Sequence, residues 1–121
     1  MSESNPVNKV VDTGTAEHYL WGDYCDDWRL VRTEELSVIE ESMPARTREQ
    51  RHFHNRARQF FYVLAGELTM EVNGQVQRLG KGQGLEISPG QAHQARNNTG
   101  EPVRFLVVSQ PPTRGDRVNL D

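Results

Sequence analysis

The fold is decided by the stretch QFFYVLAGELTMEVNGQVQRL, residues 59–79. It begins with an aromatic and β-branched run at residues 60–64, which stops at Ala65-Gly66 and is typical of a strand. Leu68, Met70 and Val72 then alternate with polar residues, so one face of a second strand is expected to be buried. Asn73-Gly74 follows at once and predicts a two-residue hairpin turn, from which residues 76–79 return as a third strand.

The segments on both sides of this hairpin continue the same pattern. Short apolar runs bounded by glycine, proline or asparagine predict further strands at residues 36–43, 85–87, 93–97 and 103–109. No segment keeps a helical period. Short strands with turn signals every eight to twelve residues indicate an all-β sandwich or barrel with few or no helices.

Length and composition indicate one soluble domain. The chain has 121 residues, a net charge of -3 and 35% hydrophobic residues. The small negative charge argues against nucleic-acid binding, and no apolar run approaches a membrane span. With a single cysteine, Cys25, and no apolar leader, we expect a cytoplasmic protein. We expect a flexible tail over residues 1–15, one domain over 16–110 and a C-terminal tail over 111–121. Within the domain, the aromatic-rich residues 16–32 are expected to pack against the barrel or a second subunit.

Four residues of metal-ligand type recur on the predicted strands: His52, His54, Gln59 and His93. Residues two apart on a strand point to the same face, about 6.6–7 Å apart, so His52 and His54 can converge on one ion. Gln59 and His93 each open a later strand. Three imidazoles and a carboxamide oxygen suit one divalent transition metal ion, and the donor set accepts Mn, Fe, Co, Ni, Cu or Zn.

Two motifs resemble those of the cupin superfamily. The first is His52-x-His54-x4-Gln59-x6-Gly66, and the second is Gly82-x5-Ser88-x-Gly90-x2-His93-x3-Asn97. The resemblance covers roughly residues 35–110. It implies a small jelly-roll or double-stranded β-helix barrel with a metal ion inside, bound by His52, His54, Gln59 and His93. It also implies a homodimer, in which residues 16–32 could be a strand exchanged between subunits.

Gln59 stands where the first cupin motif normally has a glutamate. A carboxamide leaves a divalent site with three neutral histidines at a charge of +2, whereas a carboxylate would leave +1. Gln59 also cannot act as a general base. The site is therefore expected to be a strong Lewis acid that favours anionic oxygen ligands.

Candidate substrate contacts surround these ligands. On a regular strand, Arg46 and Arg48 would lie on the same face as His52, where they could bind a carboxylate. A solvated basic edge that pairs with nearby glutamates is the simpler explanation of these arginines. Phe61 shares the face of Gln59, and Asn97 shares the face of His93. Most of the remaining apolar residues are expected to fill the barrel.

Three functions remain open on this sequence. The first is a metal-dependent enzyme, isomerase- or lyase-like, that polarises an oxygen-rich small anion. The second is a non-haem metal dioxygenase, because three histidines leave positions for substrate and O₂. The third is a non-catalytic module that binds a small ligand or a metal.

Overall fold

Eleven strands and no helix make up the secondary structure of residues 8–120, the part of the chain that this computed structural model describes. The all-β prediction is thereby confirmed. None of the described residues belongs to a helix long and apolar enough to cross a membrane. The strands, in chain order, are β1 Glu17–Trp21, β2 Cys25–Arg32, β3 Ser37–Met43, β4 His52–His54, β5 Arg58–Ala65, β6 Leu68–Val72, β7 Gln75–Leu79, β8 Gly84–Ile87, β9 His93–Arg96, β10 Val103–Gln110 and β11 Arg117–Asn119.

The strands form two antiparallel sheets. The first sheet has the order β1-β2-β3-β10-β5-β8, and the second has the order β11-β4-β9-β6-β7. Both sheets also pair strands that are distant in the chain, as in β10, which pairs with β3 on one side and β5 on the other. Two sheets with such crossovers form the double-stranded β-helix that the motifs implied.

Alternation in β5 and β10 builds the core. In β5 the side chains of Phe61 and Val63 are buried while those of Phe60 and Tyr62 are exposed. This period of two places one face of each strand inside. Burying a large apolar side chain contributes about 1.5–3 kcal/mol, so these inward faces supply most of the drive to close the barrel. The buried apolar cluster comprises Cys25, Met43, Phe61, Val63, Leu68, Met70, Leu79, Ile87, Ala95, Val103, Phe105 and Val107.

The predicted hairpin is present between β6 and β7. Val72 and Gln75 are partners across a two-residue loop, and Asn73 and Gly74 have φ angles of 50° and 88°. Positive φ at both loop positions matches the right-handed twist of the flanking strands. The alternation in β6 is less simple than predicted, because Thr69 and Glu71, on its second face, are also buried.

Arg51 explains the burial of Glu71. Its Nε and Nη2 donate to the two carboxylate oxygens of Glu71 at 2.7 and 3.1 Å. The hydrogen bond from Arg51 lowers the pKa of Glu71, with further lowering by the N–H of Gly74. The segment before β4 therefore covers the outside of β6, a tertiary contact that periodicity alone does not reveal.

Both ends of the chain add strands to the barrel. Residues 16–32 form an antiparallel hairpin, β1–β2, which pairs with β3 of the same chain. The predicted N-terminal tail, residues 1–15, lies partly outside the described residues. The predicted C-terminal tail, residues 111–121, contains β11, which pairs with β4, because the buried Asp116 anchors it to the backbone of residues 55–57.

Candidate metal centre and cavity

Three histidines meet where β4 and β9 pair. His52 and His54 lie two apart on β4 and both are buried, and His93 on β9 is the Cα partner of His52. The ring centroid of His52 is 4.9 Å from that of His54 and 4.4 Å from that of His93. One nitrogen of each ring lies within 4.8 Å of the others, so the three imidazoles could hold a metal ion.

Backbone carbonyls orient two of the rings. Nδ1 of His52 donates to the carbonyl of Gln50 at 2.8 Å, and Nδ1 of His93 donates to the carbonyl of Gln91 at 2.9 Å. Each ring then keeps an unprotonated Nε2, the arrangement that metal-ligating histidines normally show. Nε2 of His93 and Nδ1 of His54 are buried with no hydrogen-bond partner among the described residues.

Burial keeps the histidines neutral. It is the main cause that lowers the pKa of His52 to about 3 and that of His54 to about 4. It also lowers the pKa of His93, and the guanidinium of Arg117 adds to the effect on all three rings. Because the neutral imidazole is the metal-binding form, the cluster has its ligating nitrogens free of protons at neutral pH.

Gln59 reaches the same cavity from the other sheet. It lies on β5 opposite Ser109 of β10, and its Nε2 donates to Oγ of Ser109 at 3.1 Å. Its carboxamide oxygen Oε1 is buried and has no hydrogen-bond partner among residues 8–120. A buried carbonyl oxygen without a donor is costly, and a cation is one group that would satisfy it. The donor set therefore fits a transition metal.

Two of the histidines, His52 and His54, open onto a cavity of about 1260 Å³. One wall is the inner face of the first sheet, and the other comes from the segment around β4 and the residues before and within β11. The lining residues include both acids and bases beside apolar side chains. The charged ones are Asp27, Arg29, Arg32, Glu34, Glu41, Glu49, Arg56, Arg114 and Arg117.

The structure brings only part of the predicted substrate contacts to this cavity. Phe61 lines it, with its ring 6.1 Å from that of His93. Arg46 does not line it, because a positive φ of 64° breaks the regular strand that parity assumed and its Nη1 binds the carbonyl of Asn98. Arg48 forms an isolated bridge with Arg96. These two arginines therefore lie away from the cavity that the histidines face.

Asn97 also has a structural position rather than a place in the cavity wall. Its Nδ2 donates to the carbonyls of Met43, Pro44 and Glu101 at 2.8–3.1 Å. Its Oδ1 accepts from the backbone N–H and the hydroxyl of Thr99. All of its hydrogen-bonding capacity is used to join the loop after β9 to the end of β3.

None of the nine charged cavity residues was among the site residues predicted from the sequence. Glu49 is 12% exposed, accepts from the N–H of Ala95 and lies 3.9 Å from Nδ1 of His52. Glu41 lies on β3, and Arg117 is the partner of His54 on β11. The sequence could have indicated Glu41, because it is two residues from Ile39 on a predicted strand and therefore shares its inward face. For Glu49 and Arg117, which lie in a loop and on a short exposed strand, the sequence offers no such signal.

Comparison with known proteins agrees with this architecture. Residues 39–109 match the model of the cupin domain family. Over 60 residues the chain is 30% identical to the tetracenomycin polyketide synthase protein TcmJ of Streptomyces glaucescens. That match covers 50% of this chain and 40% of TcmJ, so it spans less than half of the relative's length.

Solved structures of low sequence identity share the whole fold. KdgF from Halomonas sp. superposes with a TM-score of 0.79 at 16% identity, covering 88% of this chain and 96% of KdgF. The polyketide cyclase RemF from Streptomyces resistomycificus superposes with a TM-score of 0.78 at 20% identity, covering 95% of this chain and 87% of RemF. At these identities the likeness concerns the fold alone.

Proposed function

The chain belongs to the cupin family, and on that premise we propose that it is a metal-dependent enzyme acting on a small, oxygen-rich anion. The observation that carries the proposal is the convergence of three neutral, buried imidazoles beside a large cavity lined by charged residues. A purely structural cluster would have its inner nitrogens hydrogen-bonded, whereas Nε2 of His93 and Nδ1 of His54 have no partner among the described residues.

The proposed ligands are His52, His54, His93 and Gln59, holding one divalent ion per chain, which would be Mn, Fe, Co, Ni, Cu or Zn. Gln59 is included because its free, buried Oε1 lies in the same cavity while Ser109 fixes its other end. With four neutral donors, a bound divalent ion would supply Lewis-acid polarisation of a carbonyl or carboxylate at its full +2 charge.

The cavity offers cations for an anionic substrate. Arg117 is exposed, borders the histidines and uses only part of its guanidinium, through Asn119 and the carbonyl of Gln50. Arg29 lines the opposite wall. Arginine binds carboxylates through two parallel hydrogen bonds, so either residue could hold one end of the substrate. We assign the reaction to an isomerase- or lyase-like class, with which the polyketide cyclase among the structural relatives is compatible.

The metal content of untagged protein tests the ligand set. We expect about one ion per chain in the wild type and nearly none in His52→Ala and His93→Ala, because a tetradentate site that loses an imidazole binds transition metals far more weakly. His18→Ala is the matched control, since His18 lies on β1, bonded to Asp26 and outside the cluster. Elemental analysis gives the content, and unchanged metal in the His52 and His93 variants would refute the proposal.

A further inference from the structure

Two carboxyl groups face each other on the wall opposite the histidines. Asp27 on β2 and Glu41 on β3 are direct Cα partners in the antiparallel register, and both line the cavity. Residues directly opposite in such a pair have Cβ atoms about 4.5–5.5 Å apart and share one face. Their carboxyl groups are therefore neighbours inside the barrel.

Ionising both carboxyls costs free energy, because like charges at this separation repel and burial weakens their hydration. Asp27 is only 8% exposed, and its Oδ1 has no hydrogen-bond partner within the described part of the chain. The ion pairs of residues 8–120 include none to Glu41. Burial raises the pKa of Asp27 too, but Nε of Arg29, 3.6 Å from Oδ1 of Asp27, opposes this and favours the charge on Asp27 and the proton on Glu41.

The other groups that face Glu41 leave this assignment intact. Burial is the largest cause that raises its pKa well above 4.5, and the negative charges of Glu49 and Asp27 raise it further. Arg117 and Arg29 act in the opposite direction without outweighing these causes. On its other side, β10 places the apolar Phe105 opposite Glu41.

The same wall also has an unsatisfied donor. Nε1 of Trp21, on β1, is buried without a hydrogen-bond partner among the described residues, and Trp21 lines the cavity. An unpaired indole N–H and an unpaired carboxylate oxygen in the lining of one cavity each cost free energy until a partner satisfies them. A polar ligand that accepts from the one and donates to the other would recover that cost.

We propose that Asp27 and Glu41 form a carboxyl pair that holds one proton inside the cavity, and that Glu41 passes this proton to the bound ligand. The inference rests on the function proposed above and adds an acid–base group to the same cavity. Gln59, as a carboxamide, cannot carry a proton for the reaction, so another residue must do so. Asp27 is the positioning residue of the pair, because it acts by keeping Glu41 protonated.

The proposed proton transfer converts a bound enol into its ketone, with every proton and electron pair accounted for. The O–H proton of Glu41 goes to the enol carbon, the carbon–carbon double bond moves to become the carbon–oxygen double bond, and the enol hydroxyl proton leaves to water. The Glu41 carboxylate then takes a proton back from water at the cavity mouth. The ligand keeps its composition, as an isomerisation requires, and no oxidant or reductant is consumed.

Carboxyl titration tests the shared proton without any substrate. In ¹³C-detected NMR spectra of the full-length, zinc-loaded protein and of the metal-free protein, we expect the Glu41 carboxyl to titrate well above the ordinary range of a glutamate. Asp27→Asn should move this titration back toward that range, because it removes the neighbouring charge. The carboxyl pair would be refuted if Glu41 titrates in the ordinary range of a glutamate in the wild type. It would also be refuted if Asp27→Asn leaves the titration of Glu41 unchanged.

The transfer itself is tested with oxaloacetate, an oxygen-rich dianion whose enol is followed by ultraviolet absorbance. We expect the zinc-loaded wild type to accelerate ketonisation and Glu41→Gln to lose ~100-fold or more of that acceleration, the usual contribution of a positioned acid. Glu40→Gln is the matched control. Glu40 directly precedes Glu41 on β3, lies on the opposite face of the strand and forms an ion pair with Arg104. It should keep the rate.

The outcomes separate this inference from the proposed function. Glu41→Gln should retain its zinc, so a lost rate with full metal content supports the carboxyl pair. If Glu41→Gln ketonises oxaloacetate as fast as Glu40→Gln, or if the zinc-loaded wild type does not accelerate the reaction, the proton-transfer role is wrong. A wild type that binds no metal would refute the metal proposal, while the titration of Glu41 would still decide the pair.

Discussion

Glu49 lies beside the histidine cluster, and the fold disturbs its ionisation strongly. Burial is the main cause that raises its pKa from 4.5 to about 7, although the N–H of Ala95 partly compensates. The unfolded chain therefore loses this proton at a lower pH than the folded protein. The stability associated with the neutral carboxyl is fully present below 4.5 and is lost as pH rises through about 7.

Glu49→Gln should remove this pH dependence, because a carboxamide stays neutral and keeps an oxygen for Ala95. Relative to the metal-free wild type, we expect the variant to gain about 3 kcal/mol in free energy of unfolding between about pH 4.5 and 8. Urea denaturation at several pH values measures this gain. Glu35→Gln, at an exposed position, should show no pH-dependent gain in free energy of unfolding over the wild type. A gain for Glu49→Gln that does not change with pH would contradict the prediction.

At the scale of elements, β11 holds the loop that joins β4 to β5. The buried carboxylate of Asp116, just before β11, accepts hydrogen bonds from the N–H groups of Asn55, Arg56 and Ala57 at 2.9–3.1 Å. Burial acts to raise the pKa of Asp116, but these N–H groups outweigh it and leave the pKa below its ordinary value. The loop so anchored separates two proposed ligands, His54 and Gln59.

Asp116→Asn should weaken both the fold and the metal site. The new NH₂ group meets backbone donors instead of accepting from them, so we expect a loss of about 2–3 kcal/mol in free energy of unfolding. Metal affinity should fall as well, since the loop no longer fixes the spacing of the ligands. Thermal unfolding and metal titration measure the two effects. Asp23→Asn, in the exposed turn between β1 and β2, is the control, and equal stability of both variants would contradict this role for β11.

Local signals in the sequence predict most elements and miss the ones that depend on distant contacts. The alternation of Leu68 and Met70 and the Asn73-Gly74 turn were sufficient for β6 and β7, because a hairpin is stabilised by neighbours in sequence. β11 escaped prediction because its three residues are all exposed, so no buried face marks it. The facing of Asp27 and Glu41 depends on the register between two strands, which periodicity does not specify.

At the scale of the whole molecule, the outer face of the first sheet bears on the predicted homodimer. Phe60 and Tyr62 are 41% and 37% exposed on β5, with stacked rings 6.2 Å apart. Gly84 on the neighbouring strand leaves room for the ring, since a Cβ there would lie 2.5 Å from Phe60 Cζ. Exposed aromatic side chains on a sheet face are typical of protein interfaces, and a second copy of this chain is the occupant we expect.

Light scattering tests this expectation. We expect a dimer for the wild type and a monomer for Phe60→Glu, because burying a carboxylate at an apolar interface costs several kcal/mol. Val76→Glu is the matched control, as Val76 is 56% exposed on β7 of the other sheet. A monomeric wild type, or a Phe60→Glu variant that remains dimeric, would show that this face is not the interface.

The direct pairing of His52 with His93 has a consequence for how the chain folds. These histidines are distant in sequence, and a slip of β9 by one residue against β4 would turn His93 to the opposite face. A metal ion bound by both rings would therefore stabilise only the correctly paired chain and leave mispaired compact states unaided. Metal binding during refolding would then select the native register, and its onset would mark the time at which β4 and β9 have paired correctly within the second sheet.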